Sequence, residues 1–185
     1  MAVNTHVIAD KFTTHMDQPF VVFLLGMRIN KLLHFNKWKI AFFAFPEMLR
    51  TLEQHPEKGF LSGDLYFTLA PFSTVMISYW RSYDDLERFA RAKDDPHLPA
   101  WRAFNQRVGY GGSVGVWHEA YLIEPGKYEA LYGAMPQIGL ARASGHIDSV
   151  TRGAHHLRKG RGRLTGKEAE LAPELEVYEE GQKRE

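Results

Sequence analysis

SGDLYFTLAPFSTVMISYWRSYDDLERFARAKDDP, residues 62–96, holds two β-rich runs followed by a capped helix. The runs, 62–70 and 73–80, are rich in aromatic and β-branched residues and join at Ala70-Pro71, which predicts a hairpin. Ser82 stands just before a helical stretch over 83–93, and Asp85 three residues on makes a weak capping box. Asp94-Asp95-Pro96 ends that helix. Upstream, 36–55 reads as a helix with Asn36 as its cap, kinked or restarted at Pro46 and closed by Gly59. FVVFLLGMRIN (20–30) is a nearly continuous apolar run, which predicts a buried strand. Downstream, Pro99 opens a short helix over 100–108 and 109–112 is a glycine turn. An alternating strand over 114–124 then ends at Pro125-Gly126. Strand, helix, strand, strand, helix, strand is the split βαβ order. It predicts an α+β, ferredoxin-like fold with an antiparallel sheet and helices on one face.

A single sheet covered on one side leaves its other face bare. Strand 114–124 alternates Val116, His118, Ala120 and Leu122 with Trp117, Glu119, Tyr121 and Ile123, so both of its faces carry large groups. Exposing such a face costs solubility, and pairing two sheets removes it. A homodimer of the dimeric α+β barrel kind is therefore expected.

Composition narrows the function. The 185 residues are 44% hydrophobic with 12 Phe, enough for a core and an apolar cavity. Lys+Arg (23) nearly balance Asp+Glu (22), so no net field attracts nucleic acid. The lack of cysteine excludes a disulfide scaffold, a thiol nucleophile and thiolate metal sites. The start, MAVNTHVIADKFTTHM (1–16), has no basic-then-apolar leader pattern, and the longest apolar runs fall well short of the ~20 residues of a membrane span. A cytoplasmic protein is expected. Three zones are expected as well: an N-terminal arm (1–18), the barrel domain (19–150) and a polar tail (151–185). The tail groups six basic residues in 152–167 and seven glutamates in 168–185.

Several motifs fail on context. Gly111-Gly112-Ser113-Val114-Gly115 matches G-x-S-x-G, but a nucleophile elbow needs a strand before the serine and a helix after it. The order here is inverted, so a glycine turn is the better reading. No flavin or nicotinamide fingerprint is present: Gly109-x-Gly111 follows no strand and has Val114 where a third glycine belongs. His118-Glu119 begins like a zinc helix, but Leu122 stands at the second histidine position and the segment reads as a strand. His155-His156 lies in the polar tail, and the basic cluster there lacks aromatics for base stacking.

His97 and His118 are the histidines expected inside, where a neutral imidazole serves as a base or iron ligand. His97 follows a helix break, which turns its side chain toward a cavity under the helix layer. Trp80-Arg81, Trp101-Arg102 and Trp117-His118 each set an aromatic beside a polar group. Sheet and interface packing is the favoured reading of each Trp over a pocket role. Tyr79, Tyr121, Tyr128 and Tyr132 are hydrogen-bond donors for a pocket or an interface. Arg28, amid an apolar strand, needs a cavity or an ion-pair partner, with Glu119 the nearest choice in the pattern.

Four segments together resemble a known family. They are FVVFLLGMRINK (20–31), EMLRTLEQHPEKGFL (47–61), SYWRSYDDLERFARAKDDPHLPAWRAFN (78–105) and VGVWHEAYLIEPGKYEALYGAMPQIGLARA (114–143). The chain is similar to the monooxygenase-like family named after a protein of the fumagillin pathway, within the antibiotic-biosynthesis monooxygenase superfamily. It departs from the family pattern at Ala120 and Ala134, where Thr and Asn are expected.

The resemblance implies a dimeric α+β barrel and a monooxygenase-like enzyme acting on a small hydrophobic or aromatic substrate between helices and sheet. The alternative is a haem-binding protein using the same cavity, because the superfamily holds cofactor-free oxygenases, haem-degrading oxygenases and haem-binding dehydratases. The cofactor is then none or haem. Catalytic roles fall to His97, His118 and Arg81, and substrate contacts to Trp80, Trp101, Asn105, Tyr121 and Arg28. His97 is the metal ligand only if haem is bound. The expected partners are a small hydrophobic molecule and a second copy of the chain.

Overall fold

A computed structural model of the chain describes residues 6–92 and 111–150, with the side chains of Lys37, Ile40, Ala41 and Ala44 left aside. The expected helix 100–108, His97, Trp101, Asn105 and the tail lie outside the described residues.

The elements are β1 (Ile8–Thr13), β2 (Phe20–Ile29), α1 (Phe35–Gln54), β3 (Phe60–Leu69), β4 (Phe72–Trp80), α2 (Tyr83–Arg91), β5 (Val114–Ile123), β6 (Tyr132–Met135), α3 (Leu140–Ser144) and β7 (Asp148–Ser149). The main sheet runs β3-β4-β2-β5, with every neighbouring pair antiparallel. The two central strands are the first and third of the split βαβ unit. The chain has the ferredoxin-like α+β fold that the element order predicts.

Alternation along β4 shows how the sheet is covered. Thr74, Met76, Ser78 and Trp80 are buried, whereas Ser73, Val75, Ile77 and Tyr79 are half-buried. The buried set faces the helices. On that side Met27, Ile29, Phe45, Met76 and Val114 form one core cluster, with Trp38, Phe42, Met48 and Leu49 of α1 packed against it. A second cluster joins Val21, Leu52, Phe60, Trp80, Leu86 and Phe89.

α1 runs through Pro46 as one helix and does not restart there. Proline removes one backbone donor but fits helical φ. Phe45, Met48, Leu49 and Leu52 keep the packing face on the sheet past that point. Ser82 caps α2 as expected, its Oγ accepting from the Asp85 N–H at 3.1 Å. Gly59, before β3, holds φ +86°, and a Cβ there would stand 2.4 Å from a carboxylate oxygen of Asp85. Only glycine meets both demands.

The residues around β1 do more than lie on the body. β1 pairs antiparallel with β6 and with β7 in a second, three-stranded sheet. The segment after β6 is tied to β3: Gly139 N–H donates to Asp64 Oδ2 at 2.9 Å, and Ser62 Oγ donates to the Gly139 carbonyl at 3.1 Å. Arg142 pairs with Asp64 at 2.8 Å.

Candidate functional site

The face of the main sheet away from the helices carries Phe20, Val22 and Tyr79, and over it pass residues 128–132 and Leu140. Between the two layers lies an open cleft of about 340 Å³, walled by Phe20, Val22, Ile123 and Leu131 and by Tyr79, Tyr128 and Tyr132. It lies on the opposite face from the helix–sheet cavity expected from sequence.

Each wall residue is held from behind. Phe12 of β1, 1% exposed, stacks on Tyr132 with centroids 4.9 Å apart. Phe20 meets Tyr128 edge-on at 5.2 Å and Tyr79 at 6.3 Å. The Tyr128 hydroxyl is hydrogen-bonded to the backbone N–H of Met16. The Tyr132 hydroxyl accepts from the Ala141 N–H at 3.2 Å.

The phenols of Tyr79 and Tyr132 converge beside Gly139: a Cβ placed there would lie 3.2 Å from the first hydroxyl and 3.6 Å from the second. Burial pushes the Tyr79 phenol up to about 12, with neighbouring Tyr132 and Asp64 adding to the effect. Burial also raises Tyr132. Both are neutral at physiological pH and keep their protons. They suit hydrogen bonding to an oxygen of a bound molecule, and neither suits the role of a base.

The described residues singled out from sequence do not meet at one point. Paired residues of neighbouring strands share a face. Leu25↔His118 and Val21↔Trp80 are helix-side pairs, whereas Val22↔Tyr121 and Arg28↔Gly115 lie on the other side. Trp80 is 1% exposed, donates to Ser78 Oγ at 3.0 Å and packs on Phe60 and Phe89. His118 is exposed on β5, with its ring 5.8 Å from Phe23. Arg81 is spent at the α2 N-terminus, where its Nε donates to Asp85 at 2.9 Å. Tyr121 is exposed and donates to Glu119 at 2.5 Å.

The pairing of Arg28 with Glu119 is corrected. Arg28 sits near the end of β2 and is exposed, so water serves its guanidinium. Ser113 is a clamp and no nucleophile. It is 1% exposed, its Oγ lies 2.7 Å from His34 Nδ1, and its carbonyl accepts from the N–H groups of Asn30 and Lys31. Tyr79, Tyr128 and Tyr132, named from sequence as donors, do border one cleft. Phe20 and Leu140 were missed as its walls, because their spacing in sequence carries no sign that they meet.

Among the described residues, no helix is long and apolar enough to cross a membrane. The chain is 27% identical over 158 residues to Monooxygenase af470 of Aspergillus fumigatus, an alignment covering 79% of this chain and 55% of the relative. It therefore spans about half the length of that curated relative. Among solved structures it is similar to aldoxime dehydratase, with TM-score 0.58 and 16% identity over 80% of this chain and 45% of the other. It also resembles SnoaB, a cofactor-independent oxygenase from Streptomyces nogalater, at TM-score 0.40 and 17% identity over 57% of this chain and 93% of the other. Residues 20–140, which include both the split βαβ unit and most of the cleft wall, match the model of the Monooxygenase af470-like family, and the chain belongs to that family.

Proposed function

We propose that the chain is a monooxygenase-like enzyme that takes a small, electron-rich aromatic substrate in the cleft on the free face of the sheet. The observation that carries this reading is the pairing of apolar walls with two half-buried, neutral phenols. Phe20, Val22 and Leu131 supply surface for a flat ring system, and Tyr79 and Tyr132 hydrogen-bond to an oxygen on it. An anthrone is a suitable probe. In its oxidation by O2, one oxygen atom replaces the two hydrogens of the ring methylene as a carbonyl, and the other leaves with those hydrogens as water.

The reaction is proposed to run without flavin or nicotinamide. Among the described residues no histidine lines the cleft, and His97, the expected iron ligand, lies outside them. Tyr79→Phe is expected to lower kcat/KM for anthrone oxidation about 10- to 100-fold, the loss of one hydrogen bond to developing charge. Oxygen uptake measures it. An unchanged rate in Tyr79→Phe overturns the assignment of the cleft, and a Soret band that appears only when haem is supplied favours the haem-binding alternative.

The protein is further proposed to be a homodimer joined through the same sheet face. Leu24, Val75 and Ile77 are half-buried there, and Tyr66, Trp117 and Tyr121 are exposed beside them. A second sheet laid on this face covers the patch and shields the cleft from water. Trp117 already lies flat over Gly26, where a Cβ would meet its indole at 2.2 Å. Light scattering at micromolar concentration should give about twice the 21.2 kDa of one chain. A monomer refutes this arrangement.

A further inference from the structure

We infer that His15, His146 and Asp148 form a binding site for one divalent first-row transition ion of the Zn2+ kind. His15 follows β1, Asp148 opens β7, and His146 lies in the turn between α3 and β7. His15 Nδ1 is 3.1 Å from Asp148 Oδ2 and 3.2 Å from His146 Nε2, and one ligand atom from each residue falls within 4.8 Å of the others. Ligands at ~2.1 Å around one ion stand roughly 3.0 Å apart in an octahedral site and roughly 3.4 Å apart in a tetrahedral one. The two separations from His15 Nδ1 fall between these values.

The surroundings orient the rings for this role. His146 Nδ1 donates to the Ser144 carbonyl at 3.3 Å, which leaves the lone pair of Nε2 aimed at His15 and Asp148. On the far side of the other ring, His15 Nε2 faces Asp17 Oδ1 at 3.8 Å, so that nitrogen has a carboxylate beside it when an ion takes Nδ1. Two imidazole nitrogens and a carboxylate oxygen converge, and one cation can replace the proton that His15 Nδ1 shares with Asp148.

The backbone beneath is fixed. The Thr14 side chain, 4% exposed, donates to the His146 carbonyl at 2.9 Å and lies 2.5 Å from Ser144 Oγ. His15 and Asp148 are themselves exposed, which leaves the remaining coordination positions to water. Two imidazoles and one carboxylate suit a borderline ion better than calcium or magnesium, which prefer all-oxygen shells. His15, His146 and Asp148 all fall outside the 20–140 stretch matched to the family, and none of them lines the cleft. The role of the site is a clasp that joins the end of β1 to β7.

Titration of the full chain with Zn2+ alone, followed by calorimetry, should show one ion per chain with a Kd near micromolar. The melting temperature should rise by several degrees at a hundredfold excess over Kd and return on adding EDTA. His15→Ala and Asp148→Asn are each expected to weaken binding at least tenfold while the far-UV spectrum stays unchanged. A His155→Ala/His156→Ala variant should bind as the parent does. The proposal is overturned if Zn2+ does not bind saturably below 100 µM, if binding survives both His15→Ala and Asp148→Asn, or if it disappears with the 155/156 pair.

Discussion

Trp80→Ala is expected to destabilise the protein by about 3–5 kcal/mol and to lower its melting temperature by about 10 °C. The indole closes the helix-side core next to the end of the sheet. It is 1% exposed, packs edge-on against Phe60 at 5.5 Å and lies 5.4 Å from Phe89 of α2. Removing it opens a cavity between α2 and β4 and takes one donor from the Ser78 hydroxyl, which keeps its own bond to the Phe23 carbonyl. A substrate-contact role predicts a different outcome: a normal melting curve with a raised KM. Trp80→Phe separates the two, because it restores most of the packing and omits the indole N–H. A differential scan on both variants decides, and a Trp80→Ala protein that melts with the parent refutes the core assignment.

Asp85→Ala is expected to cost about 2–3 kcal/mol, mostly through α2. The carboxylate is buried, with the rest of its residue only 4% exposed. It accepts from Arg81 Nε at 2.9 Å, from Arg88 at 2.7 Å and from Ser82 Oγ at 2.9 Å. The Arg81 hydrogen bond is the largest influence holding its acidity below the usual carboxylate range, with Ser82 and Arg88 reinforcing it against burial. Because the folded state depresses this pKa, its stabilisation is present in full above the unfolded value near 4. It fades as pH falls through the lower folded value. The gap in melting temperature between the parent and Asp85→Asn should therefore be widest at neutral pH and close below about pH 4. A gap that persists at pH 2.5 shows that shape, and not charge, carries the effect.

The long elements were legible because each has a period and a stop. Phe20–Ile29 alternates little because β2 is a central strand that carries apolar side chains on both faces, and its near-continuous apolar run is the signature of that position. Ser82 announced α2, and Ala70-Pro71 announced the β3–β4 turn. The second sheet gave no such signal. β6 has four residues and β7 two, too short for a period to emerge, and β1 reads as mixed because three of its six residues are not apolar. The cleft was half legible. Tyr79, Tyr128 and Tyr132 stood out as amphipathic residues with a hydroxyl to place, but their meeting with Phe20 depends on a crossing of segments that no local pattern encodes. Arg28 misled for the opposite reason: an arginine in an apolar run suggests burial, and strand ends are where such a residue escapes to water.

The pairing of β1 with β6 and β7 also sets an order of events in folding. Thr13 Oγ1 reaches the Ala130 carbonyl across 117 positions of sequence, and Thr14 reaches His146 across 132. During synthesis β1 emerges first and has no strand to join until residues 132–149 have left the ribosome. The β2–α1–β3–β4 portion can collapse in the meantime, since its contacts are closer in sequence. The small sheet is therefore the last part to form and the part with the highest entropic cost of closure. Tyr132 of the cleft wall belongs to it and Phe12 of β1 backs that ring, so the chain can build three of the four strands of its main sheet well before it has a finished site.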